Sequence, residues 1–301
     1  MAAEYPDTIQ EFADWFRTDS DCYEYLANIR WGENWTCPKC KHGKLWQCKG
    51  GQRYRCEKCK KDIRVTVGTP FQDSHIPLKT WFYTLWFMVS QKNGISALGL
   101  SREIGIKRQK TAWELLQTIR KSMSQKDKDR LTGTVEVDEV FLGGVQKGPR
   151  GRGADGKVMV LVAVEDMGIA PDSKNQKAKI GRIRMQVIKD ATSPVLLKSI
   201  QEMIESDSIV QTDELTSYPM LTKNGYRHKP VKKEPTKDST PLVHRVASLV
   251  KRWLLGTHQG GVHLVNMQSY LDEYVFRFNR RTSLSRGKLF YRLTQAMLGT
   301  K

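Results

Sequence analysis

The chain of 301 residues has no apolar run long enough to cross a membrane. Its most apolar stretch, Trp81–Val89, is about half of the roughly 20 residues a spanning helix needs. Met1–Phe12 holds acids early and no apolar core segment, unlike a secretory or transit peptide, so a soluble intracellular chain is expected. Acid is also in short supply: 32 Asp and Glu stand against 50 Lys and Arg, a net charge of +18. Such an excess attracts polyanions through counterion release, which makes nucleic acid the first partner to expect. Ribosomal, membrane-surface and heparin-binding proteins share this balance, and charge alone names no reaction. Cysteine is scarce, six in all, and four of them form two Cys-x-x-Cys pairs, which in a reducing compartment argues for metal and against disulfides. No internal repeat divides the chain.

Periodicity gives four regions. Residues 1–33 form an N-terminal helical segment, with Ile9, Phe12, Trp15, Phe16, Tyr23, Leu26 and Ile29 recurring at helical steps over residues 7–29. Residues 34–70 read as short strands, at Lys44–Gln47, Arg53–Arg55 and Ile63–Val67, separated by Gly and Lys-rich turns. Residues 71–131 read as helices at Leu78–Gln91, Ser96–Glu103 and Lys107–Met123, the last two joined by a Gly105-Ile106 turn in the manner of a helix-turn-helix. The second of that pair is the expected recognition helix, with Lys107, Arg108 and Lys110 as DNA contacts.

From residue 132 to 301 the pattern is α/β. Strands are expected at Val135–Leu142, Val158–Glu165, Ile180–Ile188 and Ile209–Thr212, and helices at Ser193–Ser206, Pro241–Leu255 and Leu264–Asn279. The segments 143–157 and 166–179 are rich in Gly, Lys and Asp and are expected to be mobile loops.

Cys37-Pro38-Lys39-Cys40 and Cys56-Glu57-Lys58-Cys59 are separated by fifteen residues. At that spacing two knuckles face each other and close a tetrahedral site of four thiolates, which predicts a structural Zn2+. Cys48 and His42 belong to neither knuckle, and Cys22 lies outside the ribbon. Residues 39–64 carry ten Lys or Arg against two acids, which suits either a DNA-backbone contact or a plain solvated surface.

The segment Thr134–Gly144 places Asp138 in the middle of an apolar strand, where a carboxylate is costly unless paired or metal-bound. Alternation sets Glu136, Asp138 and Val140 on one face and Val135, Val137 and Glu139 on the other, so one acidic face is either a site or open to solvent. A second strand, Ile209–Thr212, ends on Asp213. Two strand-borne aspartates in a basic chain point to two-metal phosphodiester chemistry.

The paired knuckles, the block Val135–Gly144, and Gly256-Thr257-His258 followed by Tyr270–Arg281 resemble insertion-sequence transposases with an ISXO-type Asp-Asp-Glu domain, over residues 15–295. The resemblance implies an RNase H-like mixed-sheet catalytic domain over 132–301, with a basic C-terminal helix, behind a small four-cysteine zinc ribbon and a helical helix-turn-helix domain. It implies Asp138 and Asp213 as metal ligands, and Lys251 as the assisting lysine seven residues after the third ligand. Here that position is His244, not glutamate. Thr240-Pro241 reads as the cap and first residue of a helix, which sets His244 in the first turn on the face of Lys251. A neutral imidazole suits Mn2+ better than Mg2+, and an Asp138, Asp213, His244 site follows. With His244 as a surface or phosphate-contacting residue, Glu139, Glu214 or Glu273 completes the site instead; His258 and His263 read as packing or backbone contacts.

Residues 277–292 hold six Lys or Arg and no acid, interleaved with aromatics. Arg277, Arg280 and Arg281 read as a phosphate clamp or as the solvated face of an amphipathic helix. The function implied is a prokaryotic, cytoplasmic, nucleoid-associated transposase. It would bind terminal inverted repeats, cut the element ends and join 3′-hydroxyls to target DNA with Mg2+ or Mn2+, as a homodimer or larger assembly on double-stranded DNA and away from membranes. A non-catalytic DNA-binding regulator and a structure-specific nuclease are the alternatives.

Overall fold

The computed structural model describes residues 5–32, 35–124, 129–143, 157–169, 178–232, 238–259 and 261–299. The chain divides into two compact units, Met1–Met123 with Thr282–Lys301, and Ser124–Arg281.

In the first unit the apolar pattern over residues 7–29 forms two helices, α1 (Ile9–Trp15) and α2 (Asp19–Trp31), where a single periodic segment is expected. The break has a local cause. Thr18 and Asp21 form a reciprocal capping box that starts α2, and Thr8 caps α1. A three-stranded antiparallel ribbon follows, β1 (Leu45–Gln47), β2 (Arg53–Cys56) and β3 (Asp62–Arg64). The expected strand over Ile63–Val67 ends at Arg64, and the chain then turns.

Three helices complete the run: α3 (Leu78–Ser90), α4 (Ala97–Glu103, capped by Ser96) and α5 (Gln109–Ser122). Gly105, at φ +71°, makes the bend between α4 and α5, a conformation that a side chain would strain. The last helix, α10 (Arg286–Leu298), packs here too, although the sequence division placed it in the catalytic region. Its cap, Ser285, donates to Asp7 Oδ1 at 2.7 Å, and Phe290 stands edge-on to Phe12 and Phe82 in an aromatic core shared with Phe16, Tyr25 and Trp86.

The second unit is α/β, built on a mixed five-stranded sheet. Its strands are β4 (Thr134–Gly143), β5 (Lys157–Ile169), β6 (Ala178–Ile188), β7 (Ile209–Thr212) and β8 (Arg227–Pro230), in the order β6-β5-β4-β7-β8. The first three are an antiparallel meander, and β7 and β8 add on in parallel, the arrangement of an RNase H-like sheet. Helices α6 (Ser193–Met203) and α7 (Met220–Lys223) cover one face over Val135, Val137 and Val210. Helices α8 (Pro241–His258) and α9 (Met267–Phe278) cover the other over Val140, Val162 and Val164. Each fully buried aliphatic side chain contributes about 1.5–3 kcal/mol, which is why β4, covered on both faces, is apolar at nearly every position but its acids. Of the two expected loops, residues 144–156 and 170–177 lie outside the described residues, while residues 143, 157, 166–169 and 178–179 form strand.

The outer rim of β6 is covered by side chains. Ile183 N–H donates to Asn279 Oδ1 at 2.8 Å, and Asn279 Nδ2 donates to Ile183 O at 3.0 Å. Val187 N–H donates to Gln268 Oε1 at 2.8 Å, whose Nε2 donates to Met185 O at 3.2 Å. Arg281 donates to Gly181 O and Ile180 O. Two amides and a guanidinium thus stand where another strand would pair. Asn279→Ala is expected to cost about 1–3 kcal/mol by leaving Ile183 unpaired, and to promote self-association through the exposed edge. Thermal unfolding followed by light scattering checks this; a variant as stable and as monodisperse as the parent would refute it.

Candidate active site and zinc centre

The two knuckles are built alike. In each, the residue after the second cysteine takes a left-handed turn, Lys41 at φ 59° and Lys60 at φ 58°. Their N–H groups donate to Cys37 O at 2.9 Å and Cys56 O at 3.1 Å, closing each Cys-x-x-Cys into a loop with the sulfurs inward. All four Sγ atoms lie within 4.8 Å of one another, and the pairs Cys37–Cys59 and Cys40–Cys56 are each 3.6 Å apart. Ligands about 2.3 Å from a tetrahedral Zn2+ stand about 3.8 Å apart, so the donor set fits the ion in chemistry and in size. Cys22 is buried in α2, where burial pushes its thiol well above the ordinary range. Cys48 N–H closes the β1-β2 hairpin, and the His42 ring stands 3.8 Å from Glu57. Neither joins the sulfur cluster.

The second site lies where β4, β7 and α8 meet. Alternation along β4 sends Glu136 and Asp138 toward α8, while Val135 and Val137 pack on the opposite face. The β4-β7 register pairs Glu136 with Gln211, and Asp213 follows the last residue of β7, near enough for its charge to act on Asp138. Burial raises the Asp138 carboxyl above its usual range; the hydroxyl of Thr240 and His244 pull it down, while the charge of Asp213 pushes it further up. Asp138 keeps 14% side-chain exposure. Its Oδ1 accepts from Glu139 N–H at 2.7 Å and its Oδ2 from Thr240 Oγ1 at 2.6 Å.

His244 occupies the first turn of α8, with Nε2 3.4 Å from Asp138 Oδ2 and Nδ1 2.7 Å from Asp238 Oδ2. The ring is thus held between two carboxylates, with Nδ1 on Asp238 and Nε2 on the Asp138 side, the placement of histidines that an outer carboxylate orients at metal centres. Asp238 also accepts Thr240 N–H through Oδ1 at 3.2 Å, so one carboxylate fixes both the turn into α8 and the imidazole. Asp238 is not among the residues that the sequence marks as site candidates. Its signal was the run Asp238-Ser239-Thr240-Pro241, a turn-forming acid two residues ahead of a helix cap.

Adjacent ligands about 2.1 Å from one octahedral ion stand about 3 Å apart, close to the 3.4 Å between Asp138 and His244. Among the described residues only the four cysteines bring three or more such atoms within 4.8 Å, so Asp213 stands outside a closed shell with the other two. Lys251 is exposed two turns further along α8. Glu139 points to the opposite face and accepts from the buried Tyr218 hydroxyl. Glu273 is fully buried and pairs with Arg277 at 3.5 Å, and Glu214 is exposed just past Asp213. His258 packs edge-on against Trp253 and Tyr270.

The basic residues divide by position. Lys107 and Arg108 form the exposed turn into α5, and Lys110 lies in its first turn, 3.9 Å from Glu114. The C-terminal arginines each have a partner within the second unit, Arg277 and Arg280 half-buried and Arg281 exposed. Arg277 binds Glu273, Arg280 stacks on Phe276 at 4.0 Å, and Arg281 stacks on Phe278 while holding the rim of β6.

Both units contain segments that match known families. Residues 17–62 match the transposase zinc-ribbon domain and residues 130–279 the ISXO2-like transposase domain. An uncharacterized protein in transposable element ISH50 of Halobacterium salinarum is 27% identical over 133 residues, 43% of each chain, so the match spans less than half of that relative. Among solved structures, the catalytic core domain of BIV integrase is 16% identical with a TM-score of 0.30, covering 47% of this chain and 81% of that one. A simian T-cell lymphotropic virus intasome bound to PP2A regulatory subunit B56 gamma is 17% identical with a TM-score of 0.31, covering 62% and 66%. Among the described residues no helix is long and apolar enough to cross a membrane.

Proposed function

Because the chain belongs to the insertion-sequence transposases that pair a zinc ribbon with an ISXO2-like transposase domain, we propose that it cuts the ends of its element and joins them to target DNA. The observation that carries this reading is the pairing of Asp138 with His244 at 3.4 Å.

Asp138, Asp213 and His244 would hold Mg2+ or Mn2+, which when bound supplies Lewis-acid charge at the phosphate and lowers the pKa of water. Asp238 keeps His244 in the tautomer and orientation that ligation requires. In the first step the oxygen of a water bonds to phosphorus as the P–O3′ bond breaks, leaving a 3′-hydroxyl on the element and a 5′-phosphate on the flank. In the second, that hydroxyl attacks a target phosphodiester, and the target's own 3′-oxygen leaves. Lys251 steadies a phosphate or terminal base. The turn and first residues of α5, with Lys107, Arg108 and Lys110, contact the terminal repeats, and the basic ribbon follows the backbone. Joining two ends in one event calls for at least a dimer acting in the cytoplasm at the nucleoid.

The test incubates the protein with Mn2+ and DNA carrying the ends of the element that encodes it, then repeats the reaction with pre-cut ends and a target plasmid. Cleavage and joining are expected. Binding without cleavage would replace this reading with that of a DNA-binding regulator, which the separation of Asp213 from a closed metal shell favours; cleavage without joining would make the protein a nuclease.

A further inference from the structure

Thr240 occupies the cap position of α8, yet its side chain makes no capping bond, because the hydroxyl is directed to Asp138. The helix is capped from another element. Glu136, two residues before Asp138 on β4 and 3% exposed, accepts Leu242 N–H at 2.8 Å and Val243 N–H at 3.2 Å, both through Oε2. These are donors that the first turn of a helix otherwise leaves unsatisfied. The exchange ties two adjacent inward positions of one strand to one helix start: Asp138 holds the cap residue and Glu136 does the capping. His244 follows one residue after Val243. A buried carboxylate with no part in the proposed chemistry is thereby the joint between the strand that bears Asp138 and the helix that bears His244.

We infer that Glu136 is a positioning residue for the metal site, setting His244 against Asp138 through its hydrogen bonds to the start of α8. The inference rests on the metal-site reading above. It makes a statement about hydrogen-bond acceptance, and glutamine provides a carbonyl acceptor at the same reach as glutamate.

The experiment measures Mn2+ binding by electron paramagnetic resonance on the full-length, zinc-loaded protein, beside thermal unfolding and end cleavage as a function of Mn2+. Direct outer partners of a metal ligand are worth about 10–100-fold in affinity, and Glu136 acts one step further out through the start of α8, so a fall of about tenfold is expected for Glu136→Ala, with the Mn2+ concentration for half-maximal cleavage rising in step. Glu136→Gln is expected to stay within about threefold of the parent, since the acceptor survives. A role in folding alone would lower the unfolding temperature of Glu136→Ala without moving Mn2+ affinity, and that result overturns the inference. A loss above about tenfold in Glu136→Gln also overturns it, by showing that charge and not hydrogen bonding matters, and this arm stands even if Glu136→Ala fails to fold. Equal Mn2+ binding by the parent and by Asp138→Ala overturns the metal-site reading itself, and the inference with it. Binding that falls in Asp138→Ala but not in Glu136→Ala removes the inference and spares that reading.

Discussion

Asp138→Asn is expected to lower Mn2+-dependent end cleavage by more than about 100-fold, because even outer partners of metal ligands are worth about 10–100-fold. Asn keeps the shape, its carbonyl accepting from Glu139 N–H and its amide donating to the Thr240 hydroxyl oxygen, so the fold should hold; what disappears is the negative charge that a divalent ion needs from the centre of β4. His244→Ala should fall by a similar factor, since it removes the group 3.4 Å from Asp138 and leaves Asp238 without its ring partner. His244→Glu provides the informative contrast. It installs the acid that the Asp-Asp-Glu pattern carries at this position, and a hard oxygen in place of nitrogen should shift the metal preference from Mn2+ toward Mg2+. Single-turnover cleavage across a series of both metals reads all three variants. Cleavage near the parental rate in His244→Ala would remove the histidine from the site, and the same outcome for Asp138→Asn would remove the site altogether.

Zinc removal should act with comparable force on the other unit. Apparent binding energies of structural Zn2+ sites are about 10–16 kcal/mol, and beyond the ligands Cys37 and Cys56 the ribbon buries little but Tyr54 and Val65 to stand in for them. Cys56→Ser is therefore expected to release the single zinc and melt the three ribbon strands. It should also loosen the end of α2, where Trp31 packs edge-on to Tyr54 at 5.0 Å and Arg30 donates to Val65 O. Zinc content by elemental analysis and Trp fluorescence on denaturation measure both effects. A Cys56→Ser protein that retains one zinc per chain and an unchanged transition would dismiss the four-thiolate site.

What the sequence made legible followed from local rules. Asp138 was conspicuous as a carboxylate in an apolar strand, and the knuckles as paired cysteines at ribbon spacing. The strand β7 and the start of α8 were readable because Asp213 and Thr240-Pro241 punctuate them. The edge strand β8 was invisible: Arg-His-Lys-Pro has neither alternation nor β-branched residues, and it is strand only because β7 pairs with it. The split between α1 and α2 was legible in hindsight from Thr18 and Asp21, but the aromatic spacing overrode it. Glu136 shows a different limit. Its face was predicted, yet its partners, Leu242 and Val243, are more than a hundred positions away, and no periodicity announces that a strand residue will cap a distant helix. The aromatic and arginine block near the C-terminus was the most distinctive stretch of the chain. Its arginines bond or stack on Glu273, Phe276 and β6 while Arg281 stays exposed, so the residues that invite a reading as a phosphate clamp also serve the packing.

That block has an implication for related genes that no longer move. A copy that had lost its chemistry but was still made as protein would have no further use for Asp138, Asp213 or Asp238. It would still need Gln268, Asn279 and Arg281 to keep the rim of its sheet from recruiting neighbours. On the proposed reading, decay should therefore erase the acids first and the rim last, so among immobile copies Asp138, Asp213 and Asp238 are expected to vary before Gln268, Asn279 and Arg281 do.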